Sequence, residues 1–79
     1  MVKVGEVYSM VSAESVKCRV ISVTKDTSWV FEGEHIICYR YIDCENKHDN
    51  YNRMGNFLTS FKIDKVSTIE SRINYILEQ

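Results

Sequence analysis

The sequence predicts a mainly β domain: a small, strongly bent five-stranded antiparallel barrel carrying one C-terminal α-helix. A mixed α+β sheet with the helix across one face is the alternative. Three observations lead there. Short runs rich in β-branched and aromatic residues recur between polar, turn-forming segments. The apolar parity of one of those runs switches after Val20, as in a strand that bulges, coils sharply or is buried on both faces. Only near the end of the chain does the hydrophobic period lengthen to that of a helix.

Each element can be justified in order. Gly5 introduces GEVYSMV, and Ser12-Ala13-Glu14-Ser15 reads as a turn. In VKCRVISVT, Val16, Cys18 and Val20 alternate with Lys17 and Arg19 before the parity passes to Ile21 and Val23. A turn at Lys25–Ser28 leads into WVFE, and Gly33 suits a tight hairpin because glycine tolerates positive φ. The strongest strand candidate, HIICYRYID, follows from His35 to about Asp43. CENKHDNYNRMG is polar and reads as an irregular loop, and loops of that length are often functional. Phe57, Leu58 and Phe61 cluster as in a helical turn, and FKIDKV reads as the last strand. Ile69, Ile73, Ile76 and Leu77 then form one helical stripe, with Ser67 and Glu70 spaced as a capping box. That stripe must cover either the barrel or a second subunit. The expected division is residues 1–66 as barrel and 67–79 as helix.

Size and composition narrow the function classes. Seventy-nine residues make one domain near the lower limit for folding on a core alone. Three cysteines, an odd number, argue against a disulfide framework. MVKVGEVYSM lacks the basic start and apolar run of a secretory leader, and no run is long enough to cross a bilayer. A reducing cytoplasm with free thiols is therefore expected. Ten Lys and Arg against eleven Asp and Glu give a net charge of −1. Without a basic excess, nucleic-acid binding is disfavoured.

The segments VGEVY, RVISV, CYRYID and GNFLTSF resemble small SH3-like β-barrel proteins encoded by bacteriophages and their hosts. In that family a Gly-x-x-Tyr opening precedes a strand pair and a Phe-Leu-x-x-Phe segment closes the barrel. The resemblance covers residues 4 to 63; the polar loop and the added helix depart from it. It implies a binding or modulating role, with a host or viral protein as partner and no catalytic residues to carry over.

Site chemistry read from the residues points the same way. Cys38, Cys44 and His48, with Cys18 or His35, include zinc-type ligands, but the cysteines form no Cys-x2-Cys knuckle. Asp43, Glu45 and Asp49 lack the glycine of a calcium loop. No metal or other cofactor is expected. Cys44 and His48 are the nearest thing to a nucleophile and base, yet no phosphate cradle, serine elbow or His-Glu-x-x-His accompanies them. No enzyme activity is expected.

Tyr39 and Tyr41 share one strand face, with Arg40 on the other. Pointing outward they would make a contact platform; pointing inward they would be core, and the adjacent Ile36 and Ile37 leave periodicity undecided. Lys47, His48, Tyr51 and Arg53 complete the candidate binding set. Two further partners follow from the pattern. One is a second copy of the chain through Ile69, Ile73, Ile76 and Leu77. The other is a small ligand, such as a nucleotide signal sequestered by an oligomer, its phosphate held by Arg40 or Arg53 in a groove between subunits.

Overall fold

The computed structural model describes residues 2–25, 33–45 and 47–77, with side chains through residue 73. The elements are β1 (Val7–Met10), β2 (Ala13–Lys25), β3 (His35–Tyr41), β4 (Asn50–Arg53), α1 (Met54–Ser60), β5 (Phe61–Ile63) and α2 (Lys65–Leu77). The strands form one antiparallel sheet in the order β4-β3-β2-β1-β5. Neither helix is long and apolar enough to cross a membrane.

Connectivity forces this sheet to curl. β4 and β5 are its two edges, and α1 alone joins them. Four strand spacings would hold flat edges about 19 Å apart. The seven residues of α1 rise only about 10 Å. The bend is taken up in β2, where Val20 pairs with Tyr39 and Ser22 with Cys38, leaving Ile21 as the extra residue of a bulge. This is the parity switch expected from VKCRVISVT. The curl stops short of a closed barrel: among the described residues β4 and β5 share no ladder, and α1 fills the seam between them.

Phe57 of α1 is the plug. It is fully buried, with its ring centroid 5.0 Å from Tyr8, 5.1 Å from Tyr39 and 4.8 Å from Phe61. Val2, Cys18, Val20 and Ile37 complete the core. α1 is too short to persist by itself, so this ring cluster holds it in place.

Several boundaries differ from the sequence reading. The turn expected at Ser12–Ser15 is tighter: Met10 already pairs with Ala13, and β2 begins there. The polar stretch expected to be irregular contains β4, with Tyr51 opposite Cys38 and Asn52 opposite Ile37, and it runs straight into α1. Backbone pairing to β3 overrides the weak strand preference of NYNR. β5 ends at Ile63 because Asp64 caps α2. The strand expected at WVFE lies outside the described residues, so the five strands here include β4 in its stead. Gly33 has φ +89°, a conformation glycine adopts without strain, while the hairpin expected there rests on residues outside the described ones.

α2 departs most from expectation. Its cap is Asp64, whose Oδ1 accepts the Ser67 N–H at 3.0 Å, and not the Ser67/Glu70 box. The face of α2 that meets the sheet is polar and small. Thr68 is buried against Val7, while Ile69 and Ile73 are 58% and 50% exposed. Ile69 and Ile73, the described part of the apolar stripe, therefore do not cover this chain's own sheet.

Candidate functional site

Cross-strand register sorts the candidate residues onto two faces. Rows that contain core residues point inward: Val20–Tyr39–Asn50 and Val23–Ile37–Asn52. The alternate rows point outward: Arg19–Arg40, Ser22–Cys38–Tyr51 and Thr24–Ile36–Arg53. Tyr39 and Tyr41 thus lie on the inward face and form no outward platform. Tyr39 is 7% exposed, 5.1 Å from Phe57 and 5.4 Å from Phe61. Burial pushes its phenol up to about 12, with Tyr41 and Cys18 adding to the shift. Tyr41 packs edge-on at 5.8 Å from Tyr39 and reaches the rim. There it lines a groove of about 510 Å³ with Met10, Val16, Ile42 and Cys44.

The outward face carries Arg40, Tyr51 and Arg53 together. Tyr51 is 67% exposed and stands over Cys38, whose own burial is 4% relative exposure. The contact with the Cys38 thiol raises the Tyr51 phenol above its ordinary value. Arg40 forms an ion pair with Asp49, which extends its row, and Arg53 pairs with Glu34 at 3.4 Å. The Asp49 carboxylate raises Arg40 further above its already high value.

Sequence reasoning did not single out Arg19. It sits directly opposite Arg40, a like-charge arrangement that costs stability on an open sheet. Asp49 draws Arg40 toward β4, and Arg19 Nε donates to Ser71 Oγ of α2 at 2.9 Å, so the two guanidiniums are held toward opposite sides. The alternation of VKCRV already directed Arg19 away from Cys18 and Val20. Its opposition to Arg40 depended on register.

Lys47 and His48 are exposed in the connection before β4, beside Asp49. Cys18 is buried in the core, where desolvation pushes its thiol up to about 12, far from the thiolate a nucleophile needs. Cys44 is exposed and Cys38 buried. Among the described residues, no three His, Cys, Asp or Glu side chains converge as a metal site would require.

A second polar cluster holds the fold together. Asp64 Oδ2 accepts from Ser67 Oγ at 2.9 Å and pairs with Lys17, whose Nζ also donates to Ser67 Oγ at 3.1 Å. The Lys17 hydrogen bond, then the Ser67 N–H, hold the Asp64 carboxyl well below the usual carboxylate range. Compared with known protein families, curated proteins and solved structures, the chain matches none.

Proposed function

We propose that this chain is a non-catalytic protein-binding module of the SH3-like, bacteriophage type, acting in the cytoplasm on a host or viral protein. The observation that carries the reading is Tyr51, 67% exposed on the outward face of the sheet between the rows of Arg40 and Arg53. Tyrosine and arginine are the residue types that dominate binding energy at protein interfaces, because each couples a large rigid contact area to directional hydrogen bonds. Lys47 and His48 extend this surface along the adjoining connection. The strand order, the bulged β2 shared by both halves of the sheet, and the helical segment between β4 and β5 support the SH3-like assignment. Three free cysteines accord with a reducing compartment.

The phosphate-binding alternative is weaker on this geometry. Asp49 and Glu34 already engage the Arg40 and Arg53 guanidiniums, and an incoming phosphate would have to displace a carboxylate from each. Thermal-shift screening with nucleotides tests that alternative directly.

For the leading reading, affinity purification followed by mass spectrometry identifies the partner. Tyr51→Ala and Arg40→Ala should then each weaken its binding by about tenfold or more. Both side chains are exposed, so melting temperatures should stay near that of the parent. Undiminished binding by folded variants would remove this face from the interface. Tyr39 is unsuitable for such a test, because truncating it would open the core.

A further inference from the structure

α2 has its apolar side turned away from the sheet. Val66, Ile69 and Ile73 are 67%, 58% and 50% exposed, while Thr68 is buried and Ser67 and Ser71 are half-buried against β1 and β2. In a free-standing protein this arrangement is backward. It is the expected one for a helix whose second face belongs to a partner.

The spacing of the exposed residues states what kind of partner. Val66, Ile69 and Ile73 fall three and four apart, and the sequence continues the pattern to Ile76. These are alternating a and d positions of a heptad, the seam of a coiled coil. In that frame Ser67, Thr68 and Ser71 occupy b, c and f, the positions that point away from a seam. The sheet is therefore attached where it would not obstruct pairing. Lys65 and Arg72 fall at g, and Glu70 falls at e; all three are exposed.

These flanking charges choose an orientation. In a parallel pair, a g residue lies beside the e residue five positions later on the other helix, so Lys65 meets Glu70 of the other copy in both symmetry-related positions. In an antiparallel pair g faces g, and Lys65 and Arg72 would confront their own kind. We propose that α2 mediates self-association of this chain as a parallel, rotationally symmetric helix bundle, with Val66, Ile69 and Ile73 as its described seam; isoleucine at d as well as a favours three or four strands over two. The anchoring of α2 by Asp64 and Thr68 supplies the helix ready-formed, which two isolated heptads could not do. This surface is separate from the Arg40–Tyr51–Arg53 face, so a failure of either proposal leaves the other standing.

Sedimentation equilibrium on the full chain, from about 1 µM to about 1 mM, should show the average mass rising from that of the monomer toward that of a trimer or tetramer, as a small interface with isoleucine at a and d requires. Ile69→Glu and Ile73→Glu alter exposed side chains, so they should keep the parent circular dichroism while weakening association by tenfold or more. Lys65→Glu and Glu70→Lys should each weaken it as well, and the double variant should recover the parent affinity. On a Cys44→Ser background, Val66→Cys should form a disulfide-linked dimer under mild oxidation. An antiparallel pair would hold those positions about 15 Å apart. A monomeric mass throughout, a double charge variant no better than the singles, or no cross-link at position 66 would each overturn the proposal.

Discussion

Replacing Thr68 by Val removes the hydroxyl bridge on which the docking of α2 depends. Thr68 Oγ1 accepts the Val7 N–H at 2.8 Å and donates to the Val7 carbonyl at 3.2 Å. β5 pairs with Tyr8, Ser9 and Met10 but ends before Val7, so the hydroxyl takes the place of the next ladder position. Val7 is 1% exposed and Thr68 5%, which leaves no water to substitute. Valine has nearly the same shape and helix propensity as threonine, so packing and helix stability change little. What remains is a buried N–H without an acceptor, at a cost of about 1–3 kcal/mol. The Val7 carbonyl keeps a donor, the Asp64 N–H at 2.9 Å, so only the amide is orphaned. For a domain of this size each kcal/mol corresponds to about 4–8 °C in melting temperature, so the middle of that range lowers Tm by about 8–16 °C. Urea denaturation should show a lower midpoint with an unchanged m-value, and amide exchange at Val7 should accelerate. Thr68→Ser, which keeps the hydroxyl, should fall well inside that loss. A valine variant melting within about 2 °C of the parent would show that the hydroxyl bridge contributes nothing to stability.

Other perturbations test the remaining framework. Phe57→Ala should cost about 3–5 kcal/mol, because the ring is fully buried among Tyr8, Tyr39 and Phe61. Against a total of about 4–12 kcal/mol for a chain of this length, that removes at least a quarter of the stability, read as a lower urea midpoint followed by near-ultraviolet dichroism. Asp64 has a folded-state pKa depressed by Lys17 and the Ser67 N–H. Its contribution is therefore complete above the unfolded carboxylate value of about 3.9 and is lost as pH falls below it. Melting temperature followed through that range should decline in the parent and decline less in Asp64→Asn, which keeps a cap but carries no titrating charge. Equal acid sensitivity in the two would assign the effect to other carboxylates.

Much of the local structure was legible beforehand. Alternation in VKCRV placed Cys18 and Val20 inside, and the switch of parity announced the bulge at Ile21. Gly33 carries a positive φ, the property that made glycine a turn candidate there, and the helical period after Lys65 gave α2. The polar segment misled because β4 owes its existence to β3: NYNR has no apolar alternation of its own, and pairing with Ile36–Tyr39 creates the strand. Tyr39 and Tyr41 were ambiguous for the opposite reason, since every neighbour in IICYRY except Arg40 tolerates burial.

The sequence by itself determined the β-rich class, the bend in β2 and the period and position of the terminal helix, because these follow from local alternation and backbone sterics. Only the tertiary structure decided which way the tyrosines and α2 face. The two edges of the sheet are tied by a helix too short for a flat sheet, and the curl this imposes buries Tyr39 around Phe57 and leaves Tyr51 outside. The early end of β5 leaves the Val7 amide needing a hydroxyl, so α2 docks through Thr68 and turns Ile69 and Ile73 outward. Hydrogen bonds between residues sixty-one positions apart leave no periodicity in the chain to read.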